Sequence, residues 1–153
     1  MPRRFHLQSL LDLAQNHTEA AARRLNQLKG KWNEAEEKLN QLISFREEYR
    51  QRYQNAASLG MSMTALRDYQ AFLGKLEAAI TQQAEEVQQC RKRWEAGQTA
   101  WQVQKRKLSA YDTLSKRHQT AEMRREAKIE QRDQDEFSTQ SFTRKLKKQD
   151  QEK

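Results

Sequence analysis

Apolar residues recur along this chain at alternating steps of three and four, the spacing that gathers one stripe of side chains on a single helix face. The first series runs Leu7, Leu11, Ala14, Thr18, Ala21, Leu25, Leu28, Trp32, Ala35, Leu39, Leu42, Arg46, Tyr49, Tyr53 and Ala56, and only Thr18 and Arg46 depart from it. Disordered chains keep no such phase. A break follows at Ala57-Ser58-Leu59-Gly60-Met61-Ser62-Met63. Gly60 suits the left-handed conformation that ends a helix, and Ser62 or Thr64 suits the cap of the next. The second series runs Leu66, Tyr69, Leu73, Leu76, Ile80, Gln83, Val87, Cys90, Trp94, Gly97, Trp101, Gln104, Leu108 and Tyr111. Beyond it the same positions become Ser115, His118, Glu122 and Arg125, so the apolar stripe ends near Leu114.

Two stripes of similar length joined by one short turn should fold back on each other. The expected fold is all-α, a long antiparallel two-helix coiled-coil hairpin with a partly disordered C-terminal tail. The hairpin domain is expected over residues 1–122, with helix 1 at about 3–57, the turn at about 58–63 and helix 2 at about 64–122. Residues 123–153 should be a helical extension that fades to a flexible tail, the last stretch from Thr143 being disordered.

If the seams meet around the turn, facing residues have numbers adding to about 122, and several large residues then face small ones, as a narrow core demands. Tyr53 falls by Tyr69, Leu42 by Ile80, Ala35 by Val87, Trp32 by Cys90, Leu25 by Gly97, Ala21 by Trp101 and Ala14 by Leu108. Flanking charges agree at Glu36–Arg91, Arg50–Glu77 and Lys31–Glu86, while Arg24 against Arg93 is a mismatch. Each arm would span roughly 70 Å. A core one side chain thick should enclose no pocket of about 300 Å³, the usual size of a small-molecule site.

Composition supports helix over globule. Of 153 residues, 35% are hydrophobic and 33% charged, with one proline and four glycines, too little punctuation for a loop-rich domain. The mean hydropathy of −1.19 alone would fit disorder, and the unbroken phase decides against it. No apolar run reaches the roughly 18–20 residues of a membrane span, and the N-terminus lacks the apolar core of a secretory signal. Cys90 is the only cysteine, which fits a reducing compartment.

Chemistry is hard to find. The glycines are scattered singly, so no phosphate loop is present. His6, His17 and His118 hold no metal-ligand spacing with Cys90 or a carboxylate cluster. Adjacent carboxylates such as Glu36–Glu37 point different ways from a helix and read as solvated face, and Cys90 reads as a small buried residue. No catalytic residue, cofactor, metal or small-molecule substrate is expected, and the chain is not expected to be an enzyme.

Two features exceed what folding needs. Phe45, Phe72 and Ala79 occupy flank positions that normally carry charge, beside the seam residues Leu42, Tyr49 and Leu76. Together they would form an apolar, aromatic patch of the kind that marks an interaction site, unless both Phe rings fold back over the seam. The second feature is charge. Residues 34–85 hold six Lys/Arg and eight Asp/Glu, a net of −2 against +8 for the whole chain, so the remainder carries +10. The excess includes Arg23, Arg24, Lys29 and Lys31 on the first arm and Arg91, Lys92, Arg93, Lys105, Arg106 and Lys107 on the second. Such a surface suits acidic protein loops or anionic lipid. Nucleic acid is disfavoured, because Trp94 and Trp101 are committed to the seam rather than free to stack on bases.

The chain resembles the FliJ family of the bacterial flagellar type III export apparatus. The resemblance rests on Leu10-Leu11-Asp12-Leu13-Ala14, on Ala35-Glu36-Glu37-Lys38-Leu39 through Glu48-Tyr49-Arg50, on Tyr69-Gln70-Ala71-Phe72 with Leu76-Glu77 and Ala79-Ile80, and on Asp135-Glu136-Phe137. It covers residues 5–142. The resemblance implies a stalk similar to the coiled coil of the rotary ATPase gamma subunit, with the export ATPase hexamer, the export gate membrane protein and export chaperones as partners. It implies gate binding by Leu42, Phe45, Tyr49, Phe72, Leu76 and Ala79, and ring binding by the basic end at Arg23, Arg24, Arg91 and Arg93. Lys38 and Gln83 depart from the family pattern at the edge of the gate site. The implied setting is the cytoplasmic, inner face of the membrane at the flagellar base, and the free protein is expected to be a monomer. An equivalent stalk of a virulence secretion system, or a basic adaptor for RNA or anionic membrane, are the alternative readings.

Overall fold

A computed structural model describes residues 3–152. Met1, Pro2 and Lys153, which fall within the expected domain bounds, lie outside the described residues. Two helices account for nearly all of the chain: α1, Gln8–Ser58, and α2, Met63–Gln151, of 51 and 89 residues. They form an all-α helical hairpin. By contacts the chain divides into two compact units, His17–Lys105, and Met1–Asn16 with Arg106–Lys153.

The unit His17–Lys105 contains the turn. Gly60 takes φ 94°, the left-handed conformation open to glycine, and its amide donates to the Ala57 carbonyl at 3.2 Å. Ser62 caps α2: its Oγ accepts from the Ala65 amide at 3.2 Å, and its carbonyl accepts from the Leu66 amide at 3.0 Å. The register is the expected one. The Tyr53 and Tyr69 rings lie 5.7 Å apart, and Ala35, Val87 and Cys90 form one buried cluster against which Trp32 and Leu39 pack. Every position of both seam series in this unit is buried or half-buried. Among the described residues none of the larger side chains is fully buried, as expected when each helix has only one neighbour.

Of the flanking ion pairs, Arg50–Glu77 forms at 2.7 Å. The other two do not. Arg91 pairs with Glu95 in its own helix at 3.1 Å, and Glu86 lies 3.8 Å from Arg93 rather than against Lys31. An i,i+4 partner is always within reach, whereas a cross-helix partner must be met across the width of the hairpin. Turning Arg93 towards Glu86 also relieves its mismatch with Arg24.

In the second unit the seam outlasts its apolar residues. Helix was expected from about residue 3, but α1 begins at Gln8, and the preceding segment is a non-helical strap laid on α2. Phe5 is buried against the His118 ring at 5.4 Å, and the Arg3 carbonyl lies 2.8 Å from His118 Nε2. The Arg3 amide donates to Glu122 Oε2 at 3.1 Å. Ser115, His118, Glu122 and Arg125 stay buried or half-buried although none of them is apolar. From Glu126 onwards α2 is exposed at every described position except Ser141. It continues as helix to Gln151, where the composition led to an expectation of flexible chain. A helix without a neighbour rests on its own propensity and i,i+4 pairs, and such helices are marginal in water.

Glycine substitutions test the seam. Nothing lies within 4 Å of a Cβ added at Gly30 or Gly74, whereas one at Gly97 would sit 2.7 Å from Leu28 Cδ1 and 3.6 Å from Leu25 Cδ1. Gly30→Ala and Gly74→Ala should each stabilise by about 0.5–1 kcal/mol through helix propensity. Gly97→Ala should lose that gain to overpacking against buried Leu28, typically about 1–3 kcal/mol. Thermal melts that rise equally for all three would refute the close approach at Gly97.

The strap carries a pH dependence. The Arg3 amide holds the Glu122 carboxyl below its usual range, partial burial opposes it, and Arg125 and His118 add to the lowering. A carboxyl depressed on folding contributes stability that is complete above its unfolded value and is lost as pH falls through the folded one. Protection of the Gln8 amide, which donates to the Phe5 carbonyl at 3.1 Å, should therefore fall on acidification below pH 4.5. Glu122→Gln should remove that dependence. A protection factor flat across this range in the unsubstituted protein would refute the assignment.

Candidate interaction surfaces

All six residues of the expected apolar patch lie in the unit His17–Lys105, but they do not contribute alike. Phe45 and Phe72 face one another across the hairpin edge to face, with centroids 6.3 Å apart and planes at 78°. Tyr49 lies beneath them, 4.6 Å from Phe72 and 6.3 Å from Phe45, and Tyr69 continues the ladder 5.3 Å from Tyr49. The Phe rings stay 41% and 42% exposed, so folding back over the seam covers them only in part. Leu42 and Ala79 are half-buried and share a shallow groove with Lys38, Gln82 and Gln83. Leu76 is buried and supports the patch from below. Burial pushes the Tyr49 hydroxyl above its ordinary range, helped by neighbouring Tyr69 and Asp68, so it stays protonated and available as a donor.

Arg46, which sequence reasoning left as a seam irregularity, belongs to this end. Its guanidinium reaches Glu77 Oε2 at 3.1 Å while Arg50 takes Oε1 at 2.7 Å. One carboxylate thus holds two arginines of α1 to α2 beside the rings. The signal was the arginine itself: a cation on a seam needs a partner within reach.

The four arginines expected at the basic end separate into two groups. Arg24 and Arg93 line one open groove of about 650 Å³, floored by Ala20, Ala21, Ala96, Gly97 and Ala100 with Leu28 at its base. Arg23 is exposed away from its lining, and Arg91 is tied to Glu95. The groove exceeds the pocket volume anticipated for so thin a core, and it arises because small residues on both helices leave the seam uncovered on that side. It is open and does not enclose a ligand. Nearby, Lys29 Nζ sits 3.9 Å over Trp32 and 5.2 Å from Trp94, a cation over two seam indoles that periodicity alone does not reveal.

Among the described residues no group of three or more His, Cys, Asp or Glu is placed to hold a metal ion. Cys90 is buried, donates to Glu86 Oε1 at 3.6 Å, and has its thiol pushed up chiefly by burial, so it is a poor nucleophile. No helix of the described residues is long and apolar enough to cross a membrane.

Comparison with known proteins supplies the family of this hairpin. Residues 3–147 match the family model described as the flagellar FliJ protein. The chain belongs to the FliJ family. It is 34% identical to the flagellar FliJ protein of Escherichia coli (strain K12) over 139 residues, covering 91% of this chain and 95% of that one. The flagellar FliJ protein of Salmonella typhi is 31% identical over the same extent. The family match spans both units, including the strap and most of the exposed end of α2.

Proposed function

We propose that this chain is a non-catalytic stalk of the bacterial flagellar protein export machinery, coupling the export ATPase ring to the export gate and handling export chaperones. Membership of the FliJ family supports the setting. The observation that carries the working surface is the Phe45–Phe72 pair, one ring from each helix, locked edge to face yet two-fifths exposed. A ring held by its neighbours loses little entropy on binding, so such a pair makes an efficient anchor. In this reading the gate protein meets Phe45, Phe72 and Tyr49, with Leu42 and Ala79 at the edge and Leu76 as support. The chain works in the cytoplasm at the flagellar base, peripheral to the membrane, and is a monomer when free.

The ring contact falls on the arginines near the other end of the unit His17–Lys105. Arg24 on the groove offers its guanidinium group to acidic loops, Arg93 on the same groove can join it by exchanging its 3.8 Å contact with Glu86, and Arg23 adds charge beside them. Guanidinium is weakly hydrated and binds carboxylate through two parallel hydrogen bonds, which suits it to a protein contact.

Phe45→Ala combined with Phe72→Ala should leave helicity and ATPase binding intact while gate affinity falls at least about tenfold and export drops with it. Normal motility in the double variant would refute the proposal. Reversing Arg23 and Arg24 to Glu should weaken ATPase binding, with the deficit shrinking as salt rises, because the contribution is electrostatic. Unchanged binding at low salt would remove the ring contact from these residues.

A further inference from the structure

The exposed end of α2 is not explained by either surface, and its charges are sorted. Residues 123–136 mix four basic with five acidic side chains, as a solvated helix does. Residues 137–149 hold Arg144, Lys145, Lys147 and Lys148 and no acid. In the same stretch Phe142 is 63% exposed and Leu146 47%. One turn apart, these two share a face at about 100° per residue. Thr139 and Thr143 fall on the edge of that face, and the Thr143 hydroxyl donates to the Thr139 carbonyl at 2.9 Å, which reduces its polarity. Lys145 and Lys147 border the apolar stripe on either side, and Arg144 and Lys148 stand behind it.

We infer that residues 137–149 form a docking surface for an anionic lipid bilayer, lying in the interface with Phe142 and Leu146 turned into the acyl boundary. Lysines on both borders of an apolar stripe can run their stems along it and hold their ammonium groups at headgroup level. Three of the four cations are Lys, flexible point charges that adjust to a fluid array of phosphates, where a fixed protein carboxylate would favour Arg. Base stacking would need several aromatics interleaved with the charge, and this stretch holds two rings, Phe142 on the apolar stripe and Phe137, 72% exposed, on the opposite side. The helix is marginal in water for want of a neighbour, and the interface supplies one. This inference is independent of the stalk reading.

The test is flotation of the full chain with vesicles of phosphatidylglycerol and phosphatidylcholine, against phosphatidylcholine alone, at about 0.15 M salt. Binding should appear only with the anionic lipid and protect the amides of residues 137–149 from exchange. Lys145→Gln, Lys147→Gln and Lys148→Gln together should weaken partition about fivefold per charge lost. Phe142→Ser with Leu146→Ser should weaken it further while leaving the thermal melt of the hairpin unchanged. Equal flotation with neutral vesicles, no flotation, or full binding by either variant would overturn the inference. So would retention of an RNA oligomer that these variants lose while vesicles go unbound. Loss of lipid binding with gate and ATPase binding intact would leave the stalk proposal standing.

Discussion

Everything in this molecule depends on a core that is one layer of side chains thick. Each helix has a single neighbour, so only the three–four stripe is covered, and even that stripe keeps partial exposure. Burial at roughly 25 cal/mol per Å² must therefore come from many partly covered residues rather than a few fully buried ones. Continuity of phase becomes the stabilising property. A single slip would move every later residue off the seam, which is why both series keep their steps without a stutter. It also fixes local choices: beside Gly97 the helices come close enough that Leu25 and Leu28 fill the space a side chain would take.

That dependence explains how much of the fold was legible in the residues. Period and turn chemistry are local, so the helices, the Gly60 turn, the Ser62 cap and the register could all be read from spacing. Side-chain choices among near-equal partners could not. Arg91 had Glu36 across the hairpin and Glu95 one turn along its own helix, and an exposed pair worth a few tenths of a kcal/mol gives no basis for choosing. The strap was missed for a different reason. Its signal, Phe5 before the periodic run and a seam of Ser115, His118 and Glu122 with no apolar partner, spans more than 100 residues and obeys no period.

The candidate surfaces divide along the same line. The aromatic patch was readable because Phe at a flank position contradicts the solvent-facing rule, and the contradiction survives folding as exposed rings. Its depth was readable in part: position separates seam Leu76 from flank Phe45, whereas the resemblance sets them side by side although one is buried and the other presents its ring. The arginine groove depends on small residues from two helices meeting, a coincidence of register that becomes visible only when Ala20 and Ala21 are set against Ala96 and Ala100.

A thin core also limits where binding surfaces can arise. A globular domain hides large rings in its interior and exposes chosen ones at a cleft, whereas here no interior exists to hide them. The two Phe rings that flank the seam near the turn stay on show, and cations near the seam meet a ring or a carboxylate at Lys29–Trp32 and Arg46–Glu77. The helices then carry unlike surfaces at separate points: rings near the turn, arginines on an alanine floor, and sorted lysines on the unpartnered end of α2. In a hairpin of this kind, an apolar residue off the period is the place to look for a partner.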